Sequence, residues 1–221
     1  EMLKIEVIQC AVLRFWKMWQ RILCVSVAIS CAIALDNEVE KLFRDMEVVP
    51  DILDEPPKEM LKIEYNDGLV VGNGEEFTPT QTKDEPKLYW TSEPESYYTV
   101  IMVNPDIPTR QNPLLREWLH WLVVNVPGAD IAKGDIIDPY IGPMAPKMSG
   151  VLRYVFLIYK QPGKQMFDEA IMTNTDVTGH EKFSSMGFAG KYNMELVAGN
   201  LFQSRWDELV PKLHKQFGIV L

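Results

Sequence analysis

The residues best placed to do chemistry in this sequence are three histidines, His120, His180 and His214. No HExxH zinc motif, G-x-S-x-G turn or GxxxxGK[ST] phosphate loop is present. His120 lies in an apolar run of strand type, where alternation puts Trp118, His120 and Leu122 on one face. Such an imidazole either bonds a backbone carbonyl in the core or lines a polar hole where it donates to an anion. The residues therefore predict a binding domain without cofactor or metal, and an unmarked Ser-His-Asp triad is the enzymatic alternative.

The segment before residue 35 has the features of a secretory signal peptide. A short basic stretch at Trp16–Arg21 precedes the apolar run Ile22–Leu35, which ends in Ala32-Ile33-Ala34. We expect residues 1–34 to be an extension plus a cleaved signal, with Met18 as its own start, and residues 35–221 to form one secreted domain. A membrane anchor, a buried helix and a cytoplasmic protein are the alternatives. The apolar run is shorter than the roughly 20 residues that span a bilayer.

Charge and cysteine usage narrow the class of partner. The formal net charge is −9, and removing residues 1–34, with four basic and two acidic residues, would make it −11. This acidity and the lack of a basic cluster argue against nucleic acid. Cys10, Cys24 and Cys31 all precede the expected cut. The domain would therefore hold no disulfide and no thiol nucleophile.

Strand patterns follow one another without regular helices between them, which favours an α+β, mainly β fold with antiparallel sheets. We expect strands at 61–65, 69–71, 87–90, 97–103, 117–126, 153–159 and 198–206, and helices at 37–46, 183–192 and 207–217. Two long irregular segments, 104–116 and 127–150, separate the central strands. Long loops in a small domain usually carry its site.

Several separated blocks resemble the phosphatidylethanolamine-binding family, which includes the Raf kinase inhibitor protein. Asn104-Pro-Asp-Ile-Pro-Thr-Arg110 and Arg116-Glu-Trp-Leu-His120 are similar to its D-P-D-A-P-S-R and R-E-W-x-H blocks. Arg153-Tyr-Val-Phe156 and Val197-Ala-Gly-Asn200 follow in the same order, and the resemblance runs from about residue 40 to 217. It implies a large antiparallel sheet, a smaller second sheet, C-terminal helices and a pocket for phosphate or phosphoethanolamine. The ligand-binding residues that it implies are Asn104, Asp106, Pro108, His120, Pro146, Leu152, Tyr154 and Phe202.

The sequence departs from the family pattern at Asn104, Leu152 and Phe202, where the family has aspartate, histidine and tyrosine. A hydrogen bond to a charged group contributes about 1.5–3 kcal/mol. Loss of the histidine and the tyrosine hydroxyl would weaken phosphate binding by roughly a thousandfold. We therefore expect a more apolar pocket with weak anion binding.

The function predicted from these observations is that of a secreted, non-enzymatic binding protein. Its pocket would take a phospholipid head group or a small apolar ligand, and a lipid ligand would allow peripheral contact with a membrane. The alternative is a secreted interaction protein that inhibits a kinase or a protease through its surface, with a vestigial pocket. The proline-rich loop from Pro105 to Pro113 is the candidate inhibitory surface.

Overall fold

The structure is a computed structural model that describes residues 38–172 and 178–218. The chain divides into two units, Glu1–Glu38 and Val39–Leu221, and the sheets lie in the second. The expected signal peptide falls outside the described residues. Within the described ranges, every helix is too short or too polar to span a bilayer.

The large sheet has six strands and carries the pocket described below. Its members are β1 (Glu59–Met60), β5 (Tyr97–Asn104), β6 (Trp118–Pro127), β7 (Asp135–Asp138), β8 (Leu152–Lys160) and β9 (Glu195–Ser204). They run in the order β1-β9-β8-β5-β6-β7. All neighbours are antiparallel except β1 and β9, which pair in parallel with Glu59 opposite Ala198.

A smaller antiparallel sheet, three α-helices and two 3-10 helices, Asn66–Gly68 and Ile131–Lys133, complete the described part of the domain. The sheet consists of β2 (Lys62–Glu64), β3 (Val70–Val71) and β4 (Lys87–Tyr89), with β2 in the centre. The α-helices are α1 (38–45), α2 (Ser185–Lys191) and α3 (Val210–Gln216). The N-cap of α2 is Ser184, whose hydroxyl accepts a hydrogen bond from the Gly187 amide at 3.0 Å.

The central strands β5, β6 and β8 are buried along almost their whole length because both faces of the large sheet are covered. On one face, Leu157 and its neighbours pack with Phe43 of α1 and Phe188 of α2. On the other face, Phe156 and Phe202 pack with Ile63 of the small sheet. Because both faces are covered, these three strands are apolar at consecutive positions instead of at alternate ones.

The expected fold class, mainly β with a large and a small sheet and few helices, is confirmed. One feature differs: the large sheet is mixed, because β1 joins it in parallel. Strand β7 lies within the segment 127–150 that was expected to be irregular. Only pairing with β6 makes this stretch a strand, and Ile136 in it is exposed.

Candidate functional site

An open pocket lies beside the start of β6 and is built from four elements of the chain. The loop between β5 and β6 contributes Ile107, Pro108 and Leu115, β6 contributes Trp118 and His120, the segment between β7 and β8 contributes Met144 and Pro146, and α3 contributes His214. The empty space is about 400 Å³, including the part open to solvent. The lining is mostly apolar, as in most small-molecule pockets.

A buried ion-pair network holds the loop between β5 and β6 in place. The backbone N, Nε and Nη2 of Arg153 donate to the Asp106 carboxylate at 2.9, 3.0 and 2.6 Å. Arg153 Nη2 also donates to Asp51 at 2.6 Å, and Arg116 pairs with the same Asp51. Asp106 and Arg153 are 0% and 1% exposed. Asp106 therefore anchors the loop to β8.

One ring nitrogen of His120 can accept a hydrogen bond but has no partner among the described residues. Its Nδ1 lies 2.9 Å from the carbonyl oxygen of Ile141, and a carbonyl can only accept, so Nδ1 carries the proton. Burial lowers the pKa of His120 to about 4, against the opposing effect of the Ile141 carbonyl. The ring is thus neutral at pH 7. Its Nε2 is buried and has no partner among the described residues.

Helix α3 forms the outer wall of the pocket. His214 Nε2 lies 3.0 Å from the Met144 carbonyl oxygen and donates to it. One turn earlier on the same helix, Val210 packs with Ile141 and Met144 in a small cluster of its own. The helix and the segment after β7 therefore enclose the site together.

The predicted ligand-binding residues fall into two layers. Pro108, His120 and Pro146 line the pocket. A second set is fully buried in the core and is not among the lining residues: Asn104, Asp106, Leu152, Tyr154 and Phe202. The structure thus brings only the first set to the pocket surface.

The deeper residues support the floor of the site. Asn104 Oδ1 accepts from the Asp106 amide at 2.8 Å and shapes the start of the loop. The Tyr154 ring stacks on Phe202 at 5.5 Å and meets the edge of His120 at 5.2 Å. Burial raises the pKa of Tyr154, and the nearby Asn104 side chain opposes this only in part. The hydroxyl is therefore a neutral core group, and it is the Tyr154 ring that packs against His120.

Sequence reasoning missed several lining residues, among them Ile107, Leu115 and His214. Trp118 had a usable signal, because strand alternation puts it on the same face as His120. His214 had none, since its contribution depends on how α3 docks against Met144. Among the described residues, no group of three or more His, Cys, Asp or Glu side chains is placed to hold a metal ion.

The sequence model of the phosphatidylethanolamine-binding protein family matches residues 57–202 of the chain. The chain belongs to the phosphatidylethanolamine-binding protein family. This confirms the family predicted from the sequence blocks. The matched range of the phosphatidylethanolamine-binding protein family ends at Phe202, within β9, so the wall supplied by α3 lies outside it.

Three known proteins are similar to this chain in sequence or in fold. A Drosophila melanogaster protein named putative odorant-binding protein A5 is 52% identical over 181 residues, which is 81% of this chain and 86% of that protein. The solution structure of CG7054 is 39% identical, with a TM-score of 0.64 over 77% of this chain and 97% of that chain. The carboxypeptidase Y inhibitor, complexed with its cognate proteinase, is 20% identical, with a TM-score of 0.67 over 80% and 100%.

Proposed function

We propose that the protein is a non-enzymatic binding protein whose pocket takes one small, largely apolar molecule. Family membership supports the binding function. The observation that carries the ligand class is the lining: apart from His120 and His214, the pocket is walled by aliphatic, proline, methionine and tryptophan side chains. Burial of apolar ligand surface against such a lining is the main favourable contribution to binding.

Charged head groups fit this pocket less well. No Lys or Arg is among its described lining residues. Arg153 is the one fully buried Arg or Lys among the described residues, and it is committed to Asp106 and Asp51. A phosphate in the pocket would give up hydration without a cation to replace it. A phospholipid head group is therefore expected to bind weakly.

Titration of the full chain with N-phenyl-naphthylamine, an apolar fluorophore, tests this proposal. We expect saturable enhancement of its emission, displacement by small hydrocarbons, and little displacement by phosphoethanolamine. Leu115→Asp places a charge in the lining and should weaken binding by tenfold or more, about 1.4 kcal/mol. The matched control is Leu114→Asp on the same loop, because Leu114 is 64% exposed. Equal affinity of the two variants, or tight displacement by phosphoethanolamine, would contradict the proposal.

Secretion is part of the proposal. It is supported by the basic and apolar segments before residue 35. It is also supported by the 52% identity to a protein named as a putative odorant-binding protein. Expression of the full chain in insect cells, followed by N-terminal sequencing of protein from the medium, tests it. We expect a start at Leu35, and retention of the uncleaved chain in cells would contradict secretion.

A second candidate function is inhibition of a protease or kinase through the loop between β5 and β6. The observation that favours it is a loop held rigidly by Asp106 while exposing Leu114. Rigid exposed loops bind partners at low entropic cost. Inhibition of a carboxypeptidase or a kinase by the full chain, lost in Leu114→Asp, would support it. Because that variant leaves the pocket intact, the two candidate functions are separable.

A further inference from the structure

Two polar atoms on lining side chains of the pocket are buried and have no hydrogen-bond partner among the described residues: His120 Nε2 and Trp118 Nε1. Their roles are opposite. Because Nδ1 of His120 donates to the Ile141 carbonyl, Nε2 accepts. The indole N–H of Trp118 can only donate. A buried polar group without a partner is costly, so a ligand that satisfies these atoms gains over one that does not.

His214, the other polar residue of the lining, has no buried ring nitrogen without a partner. His214 already donates its Nε2–H to the Met144 carbonyl at 3.0 Å. Its other ring nitrogen is not among the buried unpartnered atoms of the described residues, so water can satisfy it. The side chains that line the pocket therefore carry one acceptor and one donor that have no partner.

We propose that the pocket selects neutral, largely apolar molecules that carry a hydroxyl group, which donates its hydrogen to His120 Nε2. This inference rests on the proposed binding function and names the ligand class for the same pocket. A hydroxyl is the smallest neutral group that both donates and accepts, so its chemistry matches both His120 Nε2 and the Trp118 N–H. The apolar body of the ligand lies against Ile107, Leu115 and Met144.

Other ligand classes meet these atoms less well. A carboxylate or phosphate oxygen only accepts and would face the lone pair of Nε2. Holding an anion would require a second proton on His120. Since burial lowers the pKa of His120 to about 4, about one molecule in a thousand carries that proton at pH 7. An ether satisfies the tryptophan but not the histidine, and an ammonium ion would find no carboxylate among the lining residues.

Four probes of similar size test the inference by calorimetric titration of the full chain: n-hexanol, methyl pentyl ether, n-heptane and hexanoate. We expect n-hexanol to bind about tenfold more tightly than each of the others, as the satisfaction of one buried group implies. Equal binding of the alcohol, the ether and the alkane would overturn the inference and leave the proposed function standing. Tighter binding of hexanoate would also overturn it. Failure of all four to bind would overturn the proposed function as well.

His120→Phe removes the acceptor and keeps a ring in its place. We expect the preference for n-hexanol over methyl pentyl ether to disappear in this variant. The matched change in the other pocket histidine, His214→Phe, should alter the affinity for all probes and preserve the preference. Loss of the preference in both variants alike would count against His120 as the acceptor.

A measurement on the unmutated chain keeps the inference testable if His120→Phe does not fold. Heteronuclear NMR of the histidine ring nitrogens should show His120 protonated at Nδ1 only. Addition of n-hexanol should move the resonance of its unprotonated Nε2, whereas n-heptane should leave it in place. An unchanged Nε2 resonance at saturating n-hexanol would overturn the inference.

Discussion

Glu117 is a buried carboxyl residue that makes the stability of the domain depend on pH. It is 5% exposed, its Oε1 accepts from the Ser185 amide at 3.1 Å, and its Oε2 has no partner among the described residues. Burial raises its pKa from 4.5 to about 7, and the hydrogen bonds from Ser185 oppose this only in part. A raised pKa means that the protonated form favours the folded state. The protonated Glu117 side chain therefore contributes its full share to the stability of the fold below pH 4.5, and this contribution is lost as the pH rises through 7.

Glu117→Gln should therefore flatten the dependence of the free energy of unfolding on pH. Between about pH 4.5 and pH 8, we expect the wild type to lose about 3 kcal/mol more than the variant. Urea denaturation at several pH values measures this difference. Glu208→Gln is the control, because Glu208 is exposed. Parallel pH curves for the wild type and Glu117→Gln would show that this carboxyl is ionised in the folded protein.

Asp106 is a second buried carboxylate, and its role is structural. Three nitrogens of the buried Arg153 donate to it. Asp106→Asn leaves the Arg153 charge undercompensated, and the free energy of unfolding should fall by about 3–5 kcal/mol. Glu47→Gln, which removes the exposed partner of Arg110, should cost less than about 1 kcal/mol. Guanidinium denaturation of both variants tests the contrast, and a loss below about 1 kcal/mol in Asp106→Asn would refute the anchoring role.

At the scale of an element, α3 depends on its docking. The helix has seven residues, too few for a stable isolated helix. Val210, which is fully buried against Ile141 and Met144, ties it to the domain. Val210→Asp should detach α3, remove the His214 wall and lower the affinity for N-phenyl-naphthylamine by about tenfold. Amide exchange in α3 should accelerate while exchange in β5 and β8 stays slow.

The control for α3 is Lys212→Asp, which puts the same charge on an exposed position of the same helix. We expect its affinity for the fluorophore to stay within about twofold of the wild type, since a surface substitution changes little. If Val210→Asp also retained full affinity, the outer wall would be dispensable for binding.

At the scale of the whole molecule, Phe43 of α1 and Pro57 pack against the last strand, β9, at Gly199. A Cβ at this position would lie 2.7 Å from Pro57 Cγ, 2.8 Å from Phe43 Cζ and 3.1 Å from the Phe156 carbonyl oxygen. Gly199→Ala should therefore cost about 1–3 kcal/mol through overpacking. At Gly163 an added Cβ meets no atom within 4 Å, so Gly163→Ala is the matched control and should be nearly neutral. Equal urea midpoints for the two variants would show that the contact relaxes freely.

The elements that the sequence predicts well are those with strong local patterns. The runs around Trp121 and Phe156 were expected as buried strands and are β6 and β8. The helix expected at 183–192 is α2, which begins after the N-cap Ser184. Strands β1 and β7 were not expected, since two and four residues carry too little periodicity to register.

The pocket residues likewise include some that the sequence predicted and some that it did not. His120 was singled out because a histidine inside an apolar strand is unusual, and it does line the pocket. Leu152 and Phe202 were expected there by resemblance, yet both are fully buried and lie outside the lining. Whether the eight predicted residues bind a ligand stays a prediction. The direction that a strand residue faces is set by register and bulges, which sequence blocks do not contain.

The sequence by itself determined the family, the mainly β class and the presence of a histidine fit for a binding site. These follow from short-range patterns and ordered blocks, which are properties of the chain alone. Only the tertiary structure decided which ring nitrogen of His120 is left unpaired. It also decided that Asp106 forms an ion pair with Arg153 and that His214 of α3 lines the pocket. Each of these depends on partners distant in sequence, and such contacts exist only once the sheet and helices have come together.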